Sequence, residues 1–148
     1  MLILGLDPGI STGWATFDSP TGVWSWGTWK LGFARPLNEL QRRLYALNRP
    51  DFAVIEKPVG MGYNAMAGNS QKLGVILRWL GEDTRRYRLV APTTLKKFAT
   101  GSGRATKEDM LRAAKKKWPT VSNDHEADAL WLCEFGRKSR CGNTEIKL

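Results

Sequence analysis

The stretch LGLDPGISTG, Leu4 to Gly13, decides how this chain is read. Leu2, Ile3, Leu4 and Leu6 make Leu2–Asp7 an apolar, strand-like run. It ends on a lone carboxylate, Asp7, just before Pro8-Gly9 and a turn rich in Ser, Thr and Gly. An unpartnered carboxylate beside a core either loses its charge or is held by cations and donors. Asp7 is therefore a solvent-facing strand end or part of a site. Pro8-Gly9 stops the strand and folds the chain back, leaving the carboxylate at the sheet edge.

Working outward, Thr12–Asp18 and Val23–Leu31 read as strands joined by the turn Ser19-Pro20-Thr21-Gly22, an antiparallel meander with the first strand. Pro36 opens a helix carrying Leu37, Leu40, Leu44 and Leu47 at helical spacing and ending near Arg49-Pro50. DFAVIEKP (Asp51–Pro58) is a short apolar run, a buried strand that stops at Pro58. A second helix is expected from Asn64 to about Leu80, with Leu73, Ile76, Leu77 and Leu80 on one side. RRYRLVAP (Arg85–Pro92) reads as a fifth strand. Pro92 starts a short helix with Leu95 and Phe98, GSGRAT forms a loop, and Thr106 with Asp109 caps the next helix. The last helix is expected from about Asn123 to Gly136. The fold class is α/β: a five-stranded mixed sheet, antiparallel in strands one to three and then parallel, flanked by helices. One domain spans 1–148, with 139–148 expected as a flexible tail.

The net charge of +9 is localised. Between Arg85 and Lys117 lie eleven Lys or Arg and only two acids, Glu108 and Asp109; the rest of the chain holds twelve basic and twelve acidic residues. A charge excess confined to one contiguous third favours a polyanion partner over a generally soluble surface. No apolar run reaches the length of a membrane span, and no basic region precedes the N-terminal apolar stretch, so a cytoplasmic protein is expected. Cys133 and Cys141 are too few for a disulfide framework and lack paired metal-site spacing; free thiols are expected.

Two further acids join Asp7 as candidates. Glu56 ends the fourth strand, so if strands one and four are neighbours both carboxylates leave the same sheet edge; alone, Glu56 reads equally as an exposed strand end or a partner of Lys57. In NDHEADALWL (Asn123–Leu132), Asp128 lies three residues from His125 and four from Asp124, and either pair shares one helix face. Asp124 and Glu126 are explained by the helix N-terminus; Asp128, deeper and followed by residues apolar all round, is not. Carboxylates with one imidazole suit Mg²⁺ or Mn²⁺ better than structural zinc, and two such ions would serve an in-line phosphoryl displacement. With a polyanion-binding third, this points to metal-dependent cleavage of a nucleic-acid backbone. Trp24 and Trp26 lie on one face of a strand and Trp29 on the other, a pattern that fits core packing at least as well as a base-stacking platform.

GLDPGISTGWA, VIEKP, LKKFATGSGRATKEDM and HEADALWL, in that order, resemble the RuvC-type Holliday junction resolvases of the ribonuclease-H-like superfamily, from Leu2 to about Arg137. The resemblance implies a catalytic, metal-binding tetrad of Asp7, Glu56, His125 and Asp128, with two Mg²⁺ per site and Mn²⁺ as a substitute. It selects His125 over Asp124, since that family position is filled by Asp or His. It assigns DNA contacts to Lys96 and Lys107, which bracket the Gly loop; Lys97 and Arg104 are expected to add phosphate contacts and a steep salt dependence. It implies a homodimer nicking four-way junctions symmetrically. The family's aromatic after the catalytic Glu has no clean equivalent here, with Met61 or Tyr63 the candidates for a junction wedge. The compact length resembles bacteriophage forms that cut a wider range of branched DNA.

Three rivals stand against this reading. DPGIST also resembles the first phosphate loop of actin-like ATPases, but those need a second domain that 148 residues do not supply. A nuclease of the same fold acting on structured RNA is separated by substrate comparison. A non-catalytic branched-DNA-binding module is disfavoured because all four tetrad positions are filled.

Overall fold

A computed structural model describes residues 1–59, 62–81 and 86–141. The N-terminal third folds as the meander β1 (Leu2–Pro8), β2 (Ser11–Asp18) and β3 (Val23–Lys30), followed by α1 (Pro36–Ala46) and β4 (Phe52–Glu56). Then come α2 (Tyr63–Leu80), β5 (Tyr87–Val90), α3 (Pro92–Thr100), α4 (Lys107–Lys117) and α5 (Asp124–Cys141). The strands form one sheet in the order β3-β2-β1-β4-β5. β1 pairs antiparallel with β2 and β2 with β3, while β4 lies parallel to both β1 and β5. The expected mixed five-stranded sheet is present, with β1 and β4 adjacent.

Alternation along the central strands divides the core in two. Leu4, Leu6, Ala53 and Ile55 face one way and pack with Leu40 and Leu44 of α1 and Ile76 and Leu80 of α2. Ile3 faces the other way with Ala129, Leu130 and Cys133 of α5, and Phe52 and Val54 pack with Leu132 and Phe135. Strand periodicity then puts Asp7 on the face of Ile3, and Glu56 on that of Phe52 and Val54: both point toward α5. Trp29 is a core residue, and Trp24 and Trp26 are partly buried against the second cluster. Trp29 is buried in the first cluster and stacks on Trp14 at 5.8 Å between centroids, while Trp24 packs edge-on against Trp118.

Element ends differ from expectation for physical reasons. Pro8 is still paired with Thr12, so β1 runs one residue past Asp7 and the chain reverses at Gly9-Ile10. α1 stops at Ala46, short of Arg49: Leu47 is already extended, and its N–H closes the last turn on the Leu44 carbonyl. Arg49 instead donates to the Leu80 carbonyl at 2.9 Å, tying this loop to the end of α2. Thr106 and Asp109 form the expected reciprocal capping box of α4.

α5 corrects the expected stop at Gly136, continuing to Cys141 and so taking in the first three residues of the expected tail. Gly136 serves close approach: a Cβ there would lie 2.8 Å from Cγ2 of Val54 and 3.0 Å from Cγ2 of Ile3. Beyond it, Ser139 Oγ donates to the Phe135 carbonyl at 2.7 Å and the Arg140 guanidinium covers the Phe52 ring. Residues 142–148 lie outside the described residues. Among the described residues, no helix is long and apolar enough to cross a membrane.

Candidate active site

The register carries the two strand acids to one place. Leu6 pairs with Ile55, so Asp7 and Glu56 stand one residue further on at the shared C-terminal edge of β1 and β4. α5 is brought down onto this edge by glycines within the opening stretch. A Cβ on Gly5 would lie 2.2 Å from the Ala129 carbonyl oxygen, and one on Gly13 would lie 2.0 Å from that of His125. The start of α5 is fixed by Asn123, whose side-chain oxygen accepts from the Glu126 N–H at 3.0 Å and from Thr28 Oγ1 of β3 at 3.2 Å. Glu126 accepts from the Ser122 N–H at 2.8 Å, completing the helix entrance.

With α5 so seated, Asp128 meets the strand acids. Asp7, Glu56 and Asp128 each offer a carboxylate oxygen within 4.8 Å of the other two. Burial pushes the Glu56 carboxyl up to about 8, with further push from Asp7 and Asp128. Burial likewise raises Asp128 to about 7, helped by Asp7 and Asp124. At neutral pH the cluster therefore retains protons that a divalent cation would displace. Three oxygen donors from three different elements fit a hard cation such as Mg²⁺ or Mn²⁺.

His125 stands at the rim of this trio, its Nδ1 3.7 Å from Asp7 Oδ2. The Asp7 carboxylate holds the imidazole above its usual range; burial opposes this and Asp124 assists. Asp124 is drawn elsewhere, with Lys107 Nζ 3.0 Å from its Oδ2. Burial would raise Asp124, but Lys107 and His125 outweigh it and leave the carboxyl below the ordinary range. The choice that spacing left open between Asp124 and His125 thus has a geometric counterpart: His125 faces Asp7, and Asp124 faces Lys107.

The other expected contact residues separate into groups. Lys107 lines the cleft with the acids, and the charge of Lys96 reaches Glu56, lowering its affinity for protons. Lys97 is exposed on the last turn of α3. Arg104 lines a different concavity, between α3 and α4, with Arg112 and Lys116. Met61 and the side chain of Tyr63 lie outside the described residues.

The sequence reading missed Lys72 of α2. Only 7% exposed, it lines the cleft and donates from Nζ to the Gly9 carbonyl at 2.7 Å. Desolvation lowers its pKa, opposed by the Asp7 charge. Gly9 N–H in turn donates to the Asp7 carbonyl at 2.9 Å, so a buried cation clamps the turn that presents Asp7. A signal was available: Lys72 occupies the inward stripe of α2 one turn before Ile76, where a lysine is out of place unless it has a partner.

No family model matches this chain. Its sequence is 28% identical to the crossover junction endodeoxyribonuclease RuvC of Rickettsia bellii, over 88% of this chain and 92% of that protein. The structure of Thermus thermophilus RuvC superposes with a TM-score of 0.73 at 20% identity, covering 97% of this chain and 98% of that one. T. thermophilus RuvC in complex with a Holliday junction substrate gives a TM-score of 0.71 at 22% identity, covering 90% of each chain. The fold is thus that of RuvC, ribonuclease-H-like, and along most of its length the chain is similar to RuvC-type resolvases.

Proposed function

We propose that this protein is a metal-dependent endonuclease that nicks DNA phosphodiesters in four-way junctions and other branched DNA, leaving 5′-phosphate and 3′-hydroxyl ends. The observation that carries the reading is the convergence of Asp7, Glu56 and Asp128 within 4.8 Å at one sheet edge. The sequence relative named a crossover junction endodeoxyribonuclease, and the fold shared with a RuvC solved in complex with a Holliday junction substrate, support the choice of substrate. A homodimer, placing two such sites on one junction, is part of this reading.

Asp7, Glu56 and Asp128 would hold two Mg²⁺, or Mn²⁺ in their place, which lower the pKa of an attacking water and neutralise charge on the phosphate oxygens of an in-line displacement. Asp7, whose carboxylate acts on Glu56, Asp128 and His125 alike, would be the ligand common to the site. His125, beside Asp7 and partly exposed, would ligate a cation or accept the proton of the attacking water. Lys107 and Lys96 present positive charge to the backbone phosphates, and Lys72 keeps the Asp7 turn in register.

The test is cleavage of a synthetic four-way junction, flaps, forks, linear duplex and structured RNA with Mg²⁺. Branched DNA should be cut and Asp7→Asn should abolish cutting. Undiminished cutting by that variant sinks the site assignment, and preferential cutting of RNA moves the substrate to the structured-RNA rival.

A further inference from the structure

Phe33 lies between β3 and α1 and is 99% exposed, the most exposed large apolar side chain among the described residues. An isolated exposed apolar residue needs no explanation; its surroundings here supply one. The loop borders a concavity whose lining includes Lys30, Gly32, Arg35, Asn38, Glu39 and Arg42. The acid of this region, Glu39, is held by Arg42 at 2.7 Å and Arg43 at 2.9 Å. Among the described residues, neither Lys30 nor Arg35 has an ion-pair partner. An exposed aromatic beside unneutralised cations is the combination that binds unpaired nucleic acid, cations on the backbone and the ring on a base.

Topology puts this corner beside the candidate active site. β3 runs parallel to β1, and its last residue, Lys30, pairs with Ser11 at the start of β2. β3 therefore ends at the same sheet edge as Asp7 and Glu56. Two strand spacings separate β3 from β1, about 10 Å, or roughly three nucleotides at the rise of 3.4 Å per nucleotide. Lys96, on α3 after β5, lies on the opposite flank of the sheet order. A DNA strand crossing the edge above Asp7 would meet cations on both sides.

We propose that Lys30, Phe33 and Arg35 form a second DNA-contact site, in which the two cations take backbone phosphates of the strand leading to the cleft and Phe33 stacks on an unpaired base near the branch point. This rests on the branched-DNA nuclease reading.

Binding is measured by fluorescence anisotropy in EDTA, with a four-way junction carrying 2-aminopurine at successive positions around the branch, for wild type, Lys30→Gln/Arg35→Gln and Phe33→Ser. All three side chains are exposed, and melting curves should match wild type. The double variant should bind about tenfold more weakly, and the slope of log K against log salt should fall by about 2. Phe33→Ser should weaken junction binding roughly 5- to 50-fold and remove the fluorescence change at one 2-aminopurine position, leaving linear duplex binding unaltered. Wild-type affinity and slope in the double variant, or an unaltered junction affinity in Phe33→Ser, overturns the proposal. So does a drop in assembly mass for Phe33→Ser with junction binding intact, which would make the corner a contact between copies. A wild type that binds and cuts junctions beside unaffected variants rejects this site alone; a wild type that does neither rejects the underlying reading and this site with it.

Discussion

Gly13 lies beneath the carbonyl oxygen of His125, so close that a Cβ on the glycine would stand 2.0 Å from that oxygen. Asp7 is directly paired with Gly13 across the β1–β2 ladder. The absence of one side chain thus sets the height of α5 above the strand that carries the central acid. Gly13→Ala must lift α5 against backbone, with no flexible side chain to yield. We expect a loss of about 3 kcal/mol or more, a midpoint lowered by roughly 10 °C, and cleavage reduced well beyond the fraction unfolded. Melting curves and junction cleavage at a temperature where the variant remains folded separate the two effects.

The acid cluster destabilises the metal-free fold at high pH. Glu56 at about 8 and Asp128 at about 7 both lie above their ordinary values, so the folded chain holds protons that the unfolded chain has already released. Their contribution to stability is full below about pH 4 and is lost as pH rises through 7 and 8. Glu56→Gln should therefore raise the metal-free midpoint by about 3 °C or more near pH 8.5 and much less near pH 5.5. Excess Mg²⁺ should raise wild type near pH 8.5 more than it raises the variant. Equal shifts at both pH values would show that the carboxylates do not share a site.

Lys72 acts on Asp7 through the turn, by way of the Gly9 carbonyl. Lys72→Met keeps the bulk and removes the donor. Single-turnover cleavage should slow about 10- to 100-fold with junction affinity within a factor of two or so, and Lys72→Arg should recover part of the rate. Equal loss of binding and rate would make the lysine a DNA contact instead.

His125→Ala should lower the cleavage rate about 100-fold, with junction binding in EDTA unchanged. His125→Asp should retain much of the activity, as the resemblance implies for a position filled by either residue, and its rate should lose the imidazole's inflection with pH. A variant with the alanine that cuts at the wild-type rate would place His125 outside the chemistry.

How much was legible in advance varied with the range of the interaction. The strand character of Leu2–Asp7 and the Thr106–Asp109 box rest on local patterns, and both are legible in the chain; so are Asp7, Glu56 and Asp128 as candidates, which the structure brings within 4.8 Å of one another. Lys72 was passed over because a lysine on a helix stripe means little until the Gly9 carbonyl is found opposite it. Gly136 reads as a helix end because a glycine that stops a helix and one that admits a neighbouring strand look alike in sequence.

By itself the sequence determined the order of strands and helices, the face of each strand that is apolar, and which carboxylates end strands. These follow from side-chain periodicity and turn chemistry, which act over a few residues. Only the tertiary structure decided that β1 and β4 are neighbours in a register carrying Asp7 and Glu56 together, and that Asp128 reaches them while Asp124 is turned toward Lys107. Those outcomes depend on strand pairing across 50 residues and on close backbone approach at Gly5 and Gly13, which no local pattern encodes.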